Sequence, residues 1–459
     1  MLCAQGATQA AGLPASVSKL LKTHRLPASA LSVVVTEVAA DKPRISFNAA
    51  IPRIPASTIK AVTSWAALDV LGPAHTWETK LYTTAKIKAG VLKGDLVIKG
   101  GGDPYMVLEE LWKMLGALRE TGLREIHGDL VIDDSAYILE PNTPGEFDGG
   151  TYRLYNVIPT AFTVNFNAVR FLFNARTDKN LIAIRTVPKL PNLSIKDEIK
   201  RSKLKCASRN IGVQMHLNSP TEIRFSGKLP IACSDYELSR SVMQHTDYAF
   251  GAFKSIWAHW GGNITGVVRR GKVPAKQAPL LVWTSRPLAE LLRPVNKWSN
   301  NVMARLLLYS VGAAKQALPV SREQAASHLK SHLRKRGLDV SQFVMDNGSG
   351  LSRQASLTAD FMATLLKLAW HQPTMPEFVS SMSIPGLDGT MKRRFQRRSE
   401  VGKMHIKTGW LRDVTSAVGY VHAKSGKVFA VAMLLNHART KNGSGKALQD
   451  AILKWTYAQ

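Results

Sequence analysis

A serine followed three residues later by a lysine can support acyl transfer. On a helix the two share one face, and the amine can take the hydroxyl proton once burial or neighbouring cations lower its pKa. The spacing occurs four times in these 459 residues: Ser16–Lys19, Ser57–Lys60, Ser202–Lys205 and Ser327–Lys330. Only Ser57–Lys60 stands where a loop punctuated by Pro52 and Pro55 enters an apolar helix. There the nucleophile would sit at a helix N-terminus, whose dipole and free N–H groups favour a developing oxyanion.

Ser-x-Asn occurs at Ser46–Asn48, Ser208–Asn210 and Ser299–Asn301, and Lys-Thr-Gly once, at Lys407–Thr408–Gly409. On a strand, that glycine lets a substrate lie close to the edge. Each motif alone is satisfied by a helix cap, a polar helix start or a solvated strand end. The ordered set Ser57–Lys60, Ser299–Asn301, Lys407–Gly409, each on a suitable element, is informative. Other chemistries are set aside: Gly100–Gly101–Gly102 lacks the Lys-Ser/Thr of a phosphate loop, and the pair His328/His332 lacks the intervening Glu of a zinc helix.

The elements that position these residues read as follows. Strands are expected over Leu31–Val38 and Arg44–Ile51, then a helix over Ser57–Leu71 stopped by Gly72–Pro73. From Thr76 to about Asp235, short strands (Glu78–Ile87, Gly94–Ile98, Gly128–Ile132, Val164–Phe173, Asn180–Val187) surround one helix, Tyr105–Glu120. Helical spacing returns over Tyr236–Trp260, Leu288–Val295, Asn300–Ala314, Arg322–Arg336 and Ala359–Trp370. Strands Lys403–Gly409, Thr415–Val421 and Lys427–Leu435 and a helix from about Gly445 to Tyr457 close the chain. The pattern predicts one α/β (α+β) domain, residues 1–75 and 261–459, split by a β-rich insertion, 76–260, with two lobes, one nested at about 92–162.

Hydrophobic content of 45% and charged content of 20% exclude a disordered or fibrous chain. The longest apolar run, Val428–Leu435, is far short of the ~20 residues of a spanning helix. Sixty-one Lys and Arg against 33 Asp and Glu give +28, which draws the chain to anionic surfaces such as a membrane or cell wall. The basic clusters Lys196–Arg209, Lys330–Arg336 and Lys392–Arg398 lack interleaved aromatics, so no specific nucleic-acid recognition is expected. Three cysteines make neither a disulfide scaffold nor a metal site. Cys206 and Cys233 are either a pair closing one loop or two buried thiols. Cys3 lies in an Ala/Gly-rich stretch, Met1–Ala11, like the small-residue tail of a secretory signal.

The motif order resembles the penicillin-recognising serine enzymes. The 242 residues from Ser57 to Ser299 resemble, within that group, the D-alanyl-D-alanine carboxypeptidase/endopeptidases of the penicillin-binding protein 4 type. Gly101–Gly102–Asp103–Pro104, Gly128–Asp129–Leu130 and Gly348–Ser349–Gly350 also match that family. The resemblance implies an antiparallel sheet flanked by helices. It implies Ser57 as nucleophile, Lys60 as its base and Ser299 as proton relay to the leaving amine. Asn301 would bind the substrate amide, and Lys407, Thr408 and Gly409 its carboxylate end. Backbone N–H groups of Ser57 and Trp410 would form the oxyanion site. Arg353 and, less directly, Asp148 would read the diaminopimelate end of a stem peptide. A Cys206–Cys233 disulfide, peptidoglycan stem peptides and β-lactams as ligands, a periplasmic location and no metal or organic cofactor complete the expectation. Oligomeric state is not legible. Trp410 departs from the family, which carries a hydroxyl residue after Lys-Thr-Gly. A serine β-lactamase is the alternative, but no Glu-x-x-Leu-Asn stretch of the class A type occurs; a non-catalytic cell-wall peptide or β-lactam-binding protein is the second.

Overall fold

The structure, a computed structural model, describes residues 12–139, 144–176 and 182–459. Cys3 with Met1–Ala11, and the start of the expected Asn180–Val187 strand, lie outside them. The chain forms two compact units. One runs to His75 and resumes from Pro287 to Gln459; the other is Thr76–Arg286.

In the first unit, strands β1 (Leu31–Glu37), β2 (Ile45–Phe47), β3 (Met404–Leu411), β4 (Val414–His422) and β5 (Val428–Asn436) form one antiparallel sheet in the order β3-β4-β5-β1-β2. The helices are α1 (Ala15–Thr23), α2 (Ile59–Leu71), α3 (Leu288–Lys297), α4 (Asn301–Ala313), α5 (Arg322–Lys335), α6 (Ala359–Trp370), α7 (Met375–Ser380) and α8 (Ser444–Tyr457). Alternation in β1 sends Leu31, Val33 and Val35 to one face, where Val17 and Leu21 of α1 and Leu448 and Ile452 of α8 cover them. On the other face Tyr420 of β4 donates its hydroxyl to the Leu366 carbonyl of α6, 2.7 Å away. Covered on both faces, β5 is apolar almost throughout, which accounts for the run Val428–Leu435. Helix α2 is buried from Ile59 to Leu68 and stops at Gly72, whose φ of 83° suits glycine.

The second unit holds a five-stranded sheet in the order Val268–Arg270, Leu130–Asp133, Leu96–Lys99, Glu78–Thr83, Leu281–Thr284, a four-stranded sheet, and helices Leu108–Glu120 and His245–His259. Two three-stranded sheets are built from residues 169–240. The unit ends at Arg286 rather than 260 because three strands within residues 263–284 pair with strands of residues 78–133. Residues 92–162 therefore do not close a sheet system alone. The expected Tyr236–Trp260 helix divides into a strand, Tyr236–Arg240, paired with Val169–Asn174, and a helix from His245. A disulfide joins Cys206 and Cys233. The expected Arg44–Ile51 strand ends at Phe47, where Asn48 turns to φ 48° and donates to the carbonyls of Ala28 and Leu31.

Candidate active site

Ser57 lies in the 3₁₀ turn Ala56–Thr58 that leads into α2, not in the α-helix itself. The carbonyl of Pro55 fixes that turn by accepting from Thr58 Oγ1 (2.7 Å) and from Ser416 Oγ of β4 (2.6 Å). Ala56, fully buried, takes φ 49°, a conformation costly without glycine and sustained by the packing around it. Two glycines allow that packing. A Cβ on Gly350 would stand 2.0 Å from the Ala56 carbonyl oxygen, and one on Gly409 would stand 3.0 Å from the Ser57 nitrogen.

One turn on, Lys60 is wholly buried. Its Nζ donates to Ser57 Oγ (3.0 Å), Asn301 Oδ1 (2.6 Å) and the Ser349 carbonyl (2.5 Å). Burial first, then the charges of Lys407 and Arg305, lowers its pKa well below the ordinary value. Of the three partners only Ser57 owns a proton. In the neutral amine, two N–H bonds satisfy Asn301 and Ser349, and the lone pair is left facing Ser57.

Asn301 begins α4, where Asn300 caps the helix by accepting from the Met303 N–H at 3.1 Å. Just before it Ser299 takes φ 59°, the second non-glycine strain at this site. Lys407 of β3, also wholly buried, donates to Ser299 Oγ (3.0 Å) and to the Thr408 carbonyl (2.7 Å). Burial brings its pKa to about 7. Thr408 Oγ1 donates to Thr390 Oγ1 at 2.8 Å. Strand β3 is at the edge of the sheet, and among the described residues its outer side pairs only through the bridge Ser383–Ile406, so the residues past it present an open strand edge.

The three motifs thus converge on one set of contacts, while the other copies do other work. Ser16–Lys19 lies on α1 and Ser327–Lys330 on α5. Ser46–Asn48 serves the β2 end, and Ser208–Asn210 and Ser202–Lys205 belong to the second unit. Gly409 lies against the Ser57 turn and Trp410 projects into solvent, two-thirds exposed. Arg353 forms an ion pair with Asp413, in the turn between β3 and β4. Asp148, in the second unit, is tied within its own turn: it accepts from Tyr155 Oη (2.6 Å), Asn156 Nδ2 (2.8 Å) and the Gly150 N–H (2.9 Å). Burial pushes its carboxyl up, but these bonds hold it below its usual value. Sequence reading missed the Ser349 carbonyl, Thr390 and Arg305. The Gly348–Ser349–Gly350 run was visible, but its contact with Lys60 spans 289 residues and had no local signal.

An antiparallel sheet carrying Lys-Thr-Gly on its edge, packed against a helix that presents Ser-x-x-Lys, is the arrangement of a penicillin-recognising serine enzyme. The profile of the D-Ala-D-Ala carboxypeptidase 3 (S13) family matches residues 13–459, and the chain belongs to that family. The D-alanyl-D-alanine carboxypeptidase DacB of Haemophilus influenzae is 24% identical over 437 residues, 94% of this chain and 91% of that protein. The D-alanyl-D-alanine carboxypeptidase of Actinomadura sp. R39 is 26% identical over 436 residues, 88% of this chain and 77% of that protein. Among solved structures, penicillin binding protein 4 from Haemophilus influenzae superposes with a TM-score of 0.82 at 23% identity, covering 96% of this chain and 99% of its own.

Proposed function

We propose that the chain is a serine D,D-peptidase. It cleaves D-Ala-D-Ala termini, and D,D-crosslinks, of peptidoglycan through an acyl-enzyme on Ser57, and β-lactams acylate the same serine. The observation that carries this reading is the buried Lys60 amine, held 3.0 Å from Ser57 Oγ by two acceptors that have no proton to give.

Ser57 Oγ attacks the carbonyl carbon of the penultimate D-Ala as its proton passes to neutral Lys60. The oxyanion is received by the N–H groups of Ser57 and Trp410, on the two segments that Gly409 lets approach. Ser299, bonded to Lys407, delivers a proton to the leaving amine and takes one from protonated Lys60, which becomes neutral again, and D-Ala departs. Water then adds to the ester carbonyl, returning the proton to Ser57 and releasing the shortened peptide. The substrate lies along the free edge of β3, with its terminal carboxylate at Lys407, Thr408 and the Thr390 hydroxyl beside it. Asn301 holds both Lys60 and the substrate amide. Arg353, at the turn after Trp410, reads the diaminopimelate end; Asp148, committed to its turn, enters no step.

Peptidoglycan lies outside the cytoplasm. The Cys206–Cys233 disulfide suits an oxidising compartment, and the proposal places the enzyme in the periplasm. Among the described residues no helix is long and apolar enough to cross a membrane; the +28 charge supplies electrostatic attachment. The test is D-Ala release from a diacylated Lys-D-Ala-D-Ala peptide beside hydrolysis of a chromogenic cephalosporin. The reading requires catalytic D-Ala release with slow, stoichiometric cephalosporin consumption. Rapid cephalosporin turnover without D-Ala release makes the chain a β-lactamase, and neither activity makes it a binding protein.

A further inference from the structure

The segment after Thr390 plays no part in the acyl chemistry, yet it is the most basic stretch of the first unit. Lys392, Arg393, Arg397 and Arg398 are all exposed, and none has a carboxylate within ion-pair distance among the described residues. The segment is not a loose tail. Arg394 is buried and anchors it to α8, donating from Nε to Asp450 Oδ1 (2.9 Å) and from Nη1 to Gln449 Oε1 (2.8 Å). Phe395 is buried as well. Left-handed φ values at Phe395 (58°) and Arg397 (57°) fold the strap back on itself. Backbone bonds from Arg394 to Met391 (2.9 Å) and from Arg398 to Phe395 (3.2 Å) hold the turn. Asp450 is already used by Arg394. Glu400, buried two residues past Arg398, accepts from Ser399 Oγ at 3.3 Å and pairs with none of the four among the described residues. Four like charges thus share one strap, a basic ridge without an ion-pair partner.

We propose that this ridge binds the carboxylates of the peptidoglycan strand whose stem peptide occupies the active site. This rests on the D,D-peptidase reading. Thr390, bonded to Thr408 at 2.8 Å, is two residues from Lys392, at most ~7 Å along the chain. A polymer with one peptide end at Thr408 therefore brings its next acidic groups past the ridge. Two other polyanions fit less well. The one apolar side chain within residues 392–398, Phe395, is buried, so nothing is available to enter a bilayer or to stack on a base.

The test compares wild type, Lys392→Gln/Arg393→Gln/Arg397→Gln/Arg398→Gln, and a control removing as many charges elsewhere, Lys200→Gln/Lys203→Gln/Lys205→Gln/Arg209→Gln. The probes are purified sacculi, anionic phospholipid vesicles and duplex DNA. The proposal expects the ridge variant to bind sacculi at least tenfold more weakly at 0.01 M salt, where charges act over about 30 Å, with the difference gone near 1 M, where they act over about 3 Å. The control loses less than threefold. Penicillin acylation and D-Ala release from the soluble peptide stay within twofold of wild type, which also shows that the variant is folded. An Arg393→Gln/Arg398→Gln variant falls between. Unchanged sacculus binding, an equal loss in the control, or an equal loss on vesicles or DNA overturns the ridge. Wild type that releases no D-Ala from the soluble peptide sinks the peptidase reading instead, and sacculus sedimentation still reports on the ridge.

Discussion

Replacing Gly409 by alanine tests whether the edge strand and the nucleophile turn are one unit. A Cβ there would stand 2.3 Å from Ser416 Oγ, 2.8 Å from the Pro55 carbonyl oxygen and 3.0 Å from the Ser57 nitrogen. Ordinary contact begins near 3.4 Å, so Ser416 must retreat by about 1 Å or β3 must move out as far. Either movement reaches Ser57, because Ser416 Oγ is bonded at 2.6 Å to the Pro55 carbonyl that also fixes Thr58. A displacement of ~1 Å at reacting groups costs on the order of a hundredfold in rate, and overpacking costs ~1–3 kcal/mol. Gly409→Ala should therefore acylate with fluorescent penicillin about a hundredfold more slowly and melt several degrees lower. Gly212→Ala, whose Cβ would meet nothing nearer than 3.7 Å, should change neither. A Gly409→Ala protein that acylates within threefold of wild type would refute the argument that this close approach builds the site.

Lys60→Ala should lose acylation by several orders of magnitude while binding penicillin, since base and nucleophile act together; pre-steady-state labelling measures it. Because Lys60 must be neutral and its pKa is depressed, the acylation rate should rise with pH through an apparent pKa well below 10.5. Burial lowers the Lys407 pKa to about 7, so kcat/KM for a carboxylate-ended peptide should fall as pH rises through that value in the free enzyme. A C-terminal ester should not show this. Cys206→Ser/Cys233→Ser should lower the unfolding temperature of the second unit, by ~3–4 kcal/mol of loop entropy, and leave penicillin labelling intact, as read by calorimetry and gel fluorescence. Trp410→Ser should leave the melting temperature within a degree or two, as an exposed side chain predicts, and improve kcat/KM for D-Ala release by restoring a hydroxyl next to Thr408.

Much of the site was legible because its chemistry is local. Ser57 and Lys60 are one turn apart, Ser299 and Asn301 two residues apart, and Lys407–Gly409 contiguous. The sequence showed that the amine needed burial or nearby cations to act as a base, and in the apolar α2 burial is the first cause of the lowered Lys60 pKa. What stayed hidden depends on through-space approach. Thr390 meets Thr408 across 18 residues and the Ser349 carbonyl meets Lys60 across 289, and neither residue type signals such a role. The same limit shaped the errors in the second unit. Tyr236 and Leu238 fit helical spacing as readily as alternation, and only pairing with Val169–Asn174 decides for a strand. The strands within residues 263–284 are two to four residues long, too short to carry a period, and extended the unit past its expected end.

The most direct test of the account is to map the penicilloyl group on the protein after brief exposure to penicillin. Tryptic cleavage after Arg53 and Lys60 isolates Ile54–Lys60, which holds Ser57 and Thr58 as its hydroxyl residues. The account predicts one adduct per chain, on Ser57, and none in Ser57→Ala. An adduct on any other serine, or stoichiometric labelling of Ser57→Ala, would contradict it.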